Sequence, residues 1–192
     1  MALRTPDLPC PTSLSEIQNK DLQWHRIECQ LVTPLYGGGV ESATVDSNMP
    51  IRVASIRGQL RFWWRLLAKH KWKLGSAETI RQAEFALWGG MGKEAHASDV
   101  FLKVSNVVAE LPVSYTEYAS NQSADLAPVF FPAMGNDHQV IPENLKWNLY
   151  FRFSTRLQND VVRQKQVIET LRWWGQFGGL GFRSRRGSGA VH

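Results

Sequence analysis

The sequence predicts an α+β fold, and three stretches carry that prediction. Residues 24–32 and 147–154 alternate apolar and polar side chains with the period of two that half-buried strands show. Residues 52–72 instead repeat apolar residues at helical spacing, over an arc wider than the roughly 100° stripe of a surface helix. We therefore expect strands packed against a long, mostly buried helix.

The other elements complete a recognisable order. Ser55 is expected to cap the long helix, and Gly89-Gly90 is expected to end the next one. The remaining elements are predicted at residues 77–88 (helix), 100–108 (strand), 161–177 (helix) and from Ser188 onward (strand). The order strand, helices, strand, strand, helix, strand fits a βαββαβ ferredoxin-like (RRM-like) domain.

The chain is interpreted as one domain with an arm and an insertion. Residues 1–20, rich in Pro, Ser and Thr, are expected to form an extended N-terminal arm, and residues 21–192 a single domain. Residues 109–146 have scattered prolines and no clear period, and are too long for a plain connection. We therefore predict an insertion there.

Composition narrows the class of protein. Lys and Arg number 22 against 17 Asp and Glu, giving a net charge of +5, which favours polyanionic partners. No apolar run approaches the ~20 residues of a membrane span, and prolines occupy the N-terminus where a signal peptide would be apolar. The protein is expected in the cytoplasm, with no membrane partner and with Cys10 and Cys29 reduced.

The long helix has a basic face. Arg57, Arg61 and Arg65 recur at i, i+4 spacing, Arg52 precedes them, and the segment contains no Asp or Glu. Like charges at this spacing destabilise a helix by about 0.2–0.5 kcal/mol per pair. The first turn also offers free backbone N–H groups and the positive end of the helix dipole. The pattern predicts an anionic ligand, and a phosphate in particular.

A glycine-rich loop near the C-terminus is the second candidate site. It contains Gly179, Gly181, Gly187 and Gly189 around the arginines Arg183, Arg185 and Arg186. Glycine lets backbone N–H groups approach a phosphate, and arginine supplies paired donors. The loop lacks the GK[ST] ending of a Walker loop and does not lie between a strand and a helix, as a Rossmann fingerprint does. Nucleotide binding of either kind is therefore not expected.

These motifs resemble the RAMP superfamily of CRISPR-associated proteins. The Gly-x-Gly, five residues, Gly-x-Gly loop is similar to the superfamily's glycine-rich loop. TPLYGGG at 33–39, IRVASIRGQLRFWWR at 51–65 and AEFALWGG at 83–90 resemble the N-terminal signatures of the first Cmr subunits of type III-B effector complexes. Two departures are visible: Ser188 stands at a usually apolar position, and the chain has residues for one ferredoxin-like half where the family usually has two.

The resemblance implies a non-catalytic, RNA-binding subunit that contacts guide RNA or target RNA in antiviral defence, beside other Cmr and RAMP subunits. It places Arg57, Gly58, Arg61 and Arg65 on the family's basic helix, and residues 179–189 on its loop. No cofactor or metal is implied.

Two other functions stay open. A metal-independent RAMP endoribonuclease, acting on CRISPR RNA or target RNA, would need an acid/base group over a 2′-hydroxyl. The five histidines are scattered, although His70 follows the basic helix, and Asp46 lies in a loop where target-cleaving relatives carry an aspartate. A general binder of single-stranded RNA would use the same basic surface. No residue spacing predicts a metal site.

Overall fold

The computed structural model describes residues 23–39, 44–91, 95–108, 111–122 and 127–192. The N-terminal arm predicted for residues 1–20 lies outside these residues. Within them, antiparallel sheets and helices are mixed, so the predicted α+β class is confirmed. None of the helices in the described part of the chain is both long and apolar enough to cross a membrane.

The first sheet forms the centre of the molecule. Its strands are β1 (His25–Gln30), β3 (Val100–Val108) and β6 (Lys146–Phe153), in the spatial order β1–β6–β3, and both pairings are antiparallel. Along β6 the residues alternate, with Trp147, Leu149, Phe151 and Phe153 buried. The alternation arises because successive side chains of a strand point to opposite faces. The predicted strand 147–154 is therefore correct to within one residue.

The last residues of the chain pair with residues 30–32, at the end of β1. His192 N donates to the Gln30 carbonyl at 2.9 Å, and Val32 N donates to the Ala190 carbonyl at 2.8 Å. Leu31 and Val191 form an antiparallel bridge between them. Residues 190–192 thus extend the sheet beyond β1, close to the strand predicted from Ser188.

One face of this sheet is covered by helices α1 (Val53–His70) and α6 (Val161–Phe177). Helix α6 has the predicted bounds. Helix α1 begins two residues before the predicted Ser55 cap: its N-cap is Arg52, whose backbone is extended and whose side chain makes no capping hydrogen bond. The prediction of Ser55 as N-cap is therefore wrong.

The wide apolar arc of α1 is only partly buried. Ile56, Leu60, Trp64 and Leu67 face the sheet and the neighbouring helices, whereas Phe62 and Leu66 are exposed. Helix α2 (Ala77–Trp88) packs beside α1 with its predicted bounds. It begins at Ser76, whose hydroxyl accepts from Thr79 N at 3.2 Å, and ends at Gly89. The end at Gly89 was predicted from the sequence, whereas the Ser76 cap was not.

The segment predicted as an insertion builds a second, smaller core. Its short elements are β4 (Val113–Ser114), α3 (Tyr115–Ser120), α4 (Ala127–Met134) and β5 (Gln139–Ile141). Strand β5 lies between β4 and β2 (Leu35–Tyr36), so the segment pairs with the chain just before Gly37. The described apolar residues of this core are Tyr36, Tyr115, Tyr118, Phe130, Ala133 and Val140. After β6 a short helix α5 (Thr155–Gln158) leads into α6.

Candidate nucleic-acid interface

The C-terminal glycine-rich loop, residues 178–189, is anchored on the segment around β2. Phe182 N donates to the Tyr36 carbonyl at 2.7 Å, and Gly189 N donates to the Pro34 carbonyl at 2.8 Å. The Ser188 hydroxyl is buried and donates to the same Pro34 carbonyl at 3.1 Å. A serine at this usually apolar position is accommodated because its hydroxyl has an acceptor. Backbone hydrogen bonds at both ends of the loop hold its shape.

Two of the glycines are required by this close packing. Gly181 has φ +74°, and a Cβ there would lie 2.5 Å from the Tyr36 carbonyl oxygen. Gly37 has φ +69°, and a Cβ there would lie 2.8 Å from the Phe182 ring. At each position, the positive φ and the short distance to the neighbouring atom both exclude a larger residue. The triglycine turn, residues 37–39, and the C-terminal loop are therefore in direct contact.

The arginines of the loop divide into two groups. Arg183 turns inward: its Nη2 donates to the Pro128 carbonyl at 3.2 Å, and its guanidinium carbon lies 4.5 Å from the centre of the Phe131 ring. Arg185 and Arg186, in a single 3₁₀ turn, are exposed, and their side chains have no hydrogen bond or ion pair with any residue that the structure describes. These two guanidinium groups are free to bind an anion.

A cleft of about 430 Å³ opens beside the loop. It is lined by Tyr36, Gln59, Pro132, Gly181, Phe182, Arg183, Ser184 and Arg185. Tyr36, Gln59 and Pro132 were not predicted as site residues, because they come from three separate parts of the sequence. Burial raises the pKa of the Tyr36 hydroxyl despite the opposing charge of Arg183, so the group stays protonated at neutral pH.

Arg52 lies near this region and orders its edge. Its Nη2 donates to the Gly39 carbonyl at 3.1 Å, and a Cβ on Gly38 would lie 3.7 Å from the Gly181 Cα. The triglycine turn therefore sits between Arg52 and the C-terminal loop. Of the arginines predicted around the long helix, Arg52 is the one that the structure brings toward the loop.

The other three arginines point elsewhere. Gln59 faces the cleft, and residues two positions apart on a helix differ by about 200° in direction, so Arg57 and Arg61 face away from it. Arg61 and Arg65 line a separate groove between α1 and α2. The helix and the loop therefore do not form one cationic groove, because Arg57, Arg61 and Arg65 lie outside the cleft beside the loop.

This basic face also has internal partners. The Glu84 Oε1 atom lies 2.6 Å from Arg61 Nε and 2.7 Å from Arg65 Nη1, and the Glu84 side chain is buried. Arg57 donates to the Ser98 hydroxyl at 2.8 Å and to the Val100 carbonyl at 3.2 Å. Burial and the charge of Arg61 lower the Arg57 pKa. Glu84 thus offsets one of the two positive charges of Arg61 and Arg65, and RNA contact by Arg57, Arg61 and Arg65 stays a prediction.

The candidate acid/base groups are dispersed. The His25 ring stacks on Phe151 with centroids 5.0 Å apart, on the first sheet, whereas the His138 ring lies 6.2 Å from Tyr36. The Asp46 carboxylate accepts from the backbone N–H groups of Asn48 and Met49 at 3.0 and 2.9 Å, so it stabilises its own turn. Within the described ranges, no three His, Cys, Asp or Glu side chains are grouped so that they could hold a metal ion.

A family model described as RAMP superfamily matches residues 28–192, which include the long helix and the glycine-rich loop. The chain is a member of the RAMP superfamily. The resemblance seen in its motifs is thereby confirmed. No curated protein matches the chain.

Several solved structures share the fold of this chain. Cmr1 from Pyrococcus furiosus in its apo form matches with a TM-score of 0.63 and 21% identity, over 88% of this chain and 48% of the relative. A chain of the type III-B Cmr-beta complex bound to cognate target RNA matches with a TM-score of 0.57 and 14% identity, over 88% and 53%. This chain therefore spans about half the length of those two relatives.

A third relative is closer in size. A chain of a type IV-B CRISPR complex matches with a TM-score of 0.51 and 16% identity, over 88% of this chain and 87% of the relative. At these identities the likeness concerns the fold alone.

Proposed function

We propose that this chain is a non-catalytic, RNA-binding subunit of a type III-B CRISPR effector complex, acting in antiviral defence with guide or target RNA and other Cmr or RAMP subunits as partners. Membership of the RAMP superfamily supports the class of protein. The fold shared with Cmr1 and with a chain of the RNA-bound Cmr-beta complex supports the type of assembly.

We propose further that the fold is the ferredoxin-like unit expected from the sequence. A βαββαβ unit has its fourth strand beside the first and its third strand between the first and the second. Residues 190–192 pair with residues 30–32 at the end of β1, and β6 lies between β1 and β3, which supports this proposal. The two helices of such a unit correspond to α1 and α6, which cover one face.

The observation that carries the RNA-binding proposal is the pair Arg185 and Arg186. Both guanidinium groups are exposed on a loop fixed by hydrogen bonds to Pro34 and Tyr36, Arg185 lines the cleft, and neither has a carboxylate partner among the described residues. A fixed loop loses little conformational freedom on binding, and arginine pairs well with phosphate oxygens. Besides Arg185 the cleft offers Arg183 together with uncharged polar and aromatic groups.

Binding of a labelled single-stranded RNA, measured over a range of salt concentrations, tests the proposal. The logarithm of the binding constant should fall with the logarithm of the salt concentration, with a slope near −0.7 for each phosphate neutralised. Arg185→Ala and Arg186→Ala should each weaken binding and make that slope less negative by roughly 0.7. Arg163→Ala is the matched control, because Arg163 is exposed but paired with Asp160 at the start of α6.

If both loop variants bound RNA with the affinity and salt dependence of the unmodified protein, the proposed interface would be wrong. The partners are tested separately, by purifying the tagged chain from its native host. Type III-B subunits and a guide RNA are the expected co-purifying species, and recovery of the chain with neither would contradict the proposed assembly.

A further inference from the structure

The face of the first sheet that turns away from α1 and α6 has an ordered arrangement of aromatic and cationic side chains. In the register of the sheet, Arg152 on β6 lies opposite Phe101 on β3, and Trp24 lies on its other side, just before β1. Two residues further along, Tyr150 lies between Arg26 on β1 and Lys103 on β3. Aromatic and cationic groups thus alternate across the strands in two neighbouring rows.

The first row is a stack. The Arg152 guanidinium carbon lies 5.0 Å from the centre of the Trp24 ring and 4.6 Å from that of Phe101, so both rings contact the same cation. Trp24 is 40% exposed and Phe101 38% exposed. In the second row the Lys103 ammonium lies 5.6 Å from the centre of the Tyr150 ring. The cations hold the rings in place while part of each ring stays open to solvent.

The charge of this face is positive. Glu28 lies on the same face, two residues along β1 from Arg26, and its carboxylate is paired with the Arg26 guanidinium at 2.8 Å. Lys103 and Arg152 have no carboxylate partner in the part of the chain that the structure describes. A face that combines cations without carboxylate partners and exposed aromatic rings is complementary to a single-stranded nucleic acid, which carries both phosphates and unpaired bases. A purely apolar partner surface would leave those cations buried and unpaired, which is costly.

We propose that this sheet face is a second RNA surface, on which single-stranded RNA stacks bases on Trp24, Phe101 and Tyr150 while Arg152 and Lys103 contact phosphates. The proposal rests on the proposed RNA-binding function. It adds that this face contacts the bases of the RNA as well as its backbone. Strands two apart in a sheet are roughly 10 Å apart, so Trp24 and Phe101 receive separate bases.

Two RNA ligands of equal length separate stacking from phosphate binding. One is a labelled oligouridine and the other is the same chain with abasic sites in place of the bases. Phe101→Ala and Tyr150→Ala should each weaken binding of the oligouridine roughly tenfold, leave its salt dependence unchanged, and leave binding of the abasic strand unchanged. Phe177→Ala is the matched control, because Phe177 is an exposed aromatic residue on the helical layer.

The outcomes distinguish this inference from the proposed function. If Arg185→Ala weakened binding of both strands while the two aromatic variants bound like the unmodified protein, the loop would bind RNA and the sheet face would not. If the unmodified protein bound neither strand, both proposals would be wrong. If the aromatic variants kept full RNA affinity but no longer co-purified with partner subunits, the face would be a protein interface and the inference would again be wrong.

A measurement on the unmodified protein covers the case in which a variant fails to fold. Oligouridine containing 4-thiouridine, irradiated in complex with the protein, should crosslink to peptides that contain Phe101 or Tyr150. Crosslinks confined to peptides of residues 178–189 would overturn the inference and leave the proposed function standing.

Discussion

Glu84 on α2 accepts a hydrogen bond from Arg61 on α1, with 2.6 Å between Oε1 and Nε. The same oxygen lies 2.7 Å from Arg65 Nη1, and Glu84 is 3% exposed. One carboxylate therefore pairs with two arginines that are neighbours on the helix. This relationship links α1 to α2, and it leaves one of the two positive charges unbalanced.

Removing this carboxylate should destabilise the fold. Glu84→Gln leaves two guanidinium groups close together without a counter-ion, and we expect the free energy of unfolding to fall by about 1–3 kcal/mol. This loss is smaller than the one usual for breaking a fully buried ion pair, because Arg61 and Arg65 are partly exposed. Urea denaturation followed by tryptophan fluorescence measures the change. Glu78→Gln, at an exposed position of the same helix, should change stability by less than about 0.5 kcal/mol; equal losses in the two variants would contradict this account.

Substitutions at two glycines of the C-terminal loop distinguish backbone strain from steric clash. Gly187→Ala introduces a side chain at φ +93° with no atom within 4 Å of its Cβ. We therefore expect the free energy of unfolding to fall by about 1 kcal/mol, from backbone strain alone. Gly181→Ala adds a Cβ 2.5 Å from the Tyr36 carbonyl oxygen at a similar φ, and should cost roughly 1–3 kcal/mol more. Thermal unfolding of both variants gives the difference. Trypsin should also cut after Arg185 and Arg186 faster in Gly181→Ala; equal stability and equal cleavage would show that the loop is not held by this contact.

The contact between α1 and α6 should depend on pH. The hydrogen bond from Lys71, with a second one from Trp72, lowers the pKa of Glu169. A lowered folded-state pKa contributes stability above the unfolded value of about 4.3, and that contribution is lost as pH falls through the folded-state pKa. Glu169→Gln should therefore flatten the fall in stability below about pH 5. Lys71→Met should have the same effect, and an unchanged profile in both variants would exclude this pair as the source.

Cys29 should be chemically inert in the folded protein. Burial raises the pKa of its thiol to about 12, so almost no thiolate forms at pH 8. In a Cys10→Ser variant, a thiol reagent should react only after the protein is denatured. Rapid reaction of the native variant would mean that β1 opens readily at this position.

The non-catalytic proposal has a direct test. Labelled RNA incubated with the protein in EDTA should stay intact, because the described histidines are dispersed and Asp46 is engaged in its own turn. Cleavage that disappears in His70→Ala or Asp46→Ala would replace the proposal with the endoribonuclease alternative. Cleavage that persists in both variants would indicate a contaminating nuclease.

The sequence alone determined the regular elements around the first sheet. Three elements have their predicted bounds: the helices at 77–88 and 161–177 and the strand at 100–108. The spacing of apolar residues indicates directly which side of such an element is buried. The long helix was placed correctly but its cap was not, since Arg52 begins it without a side-chain hydrogen bond. The short elements of residues 113–141 gave no such signal: strands of two or three residues are too brief to show a period.

Tertiary structure alone decided which charges are free. All the arginines of α1 and the C-terminal loop look alike in the sequence. In the structure Arg61 and Arg65 share the carboxylate of Glu84, 19 or more residues away, and Arg183 turns onto the Phe131 ring. Only the fold leaves Arg185 and Arg186 exposed, and only the pairing of β1, β6 and β3 aligns Trp24, Arg152 and Phe101. The spacing of residues along one element predicts which of its faces is buried. Counter-ions and stacked rings lie on elements that are distant in sequence, and only tertiary packing brings them together.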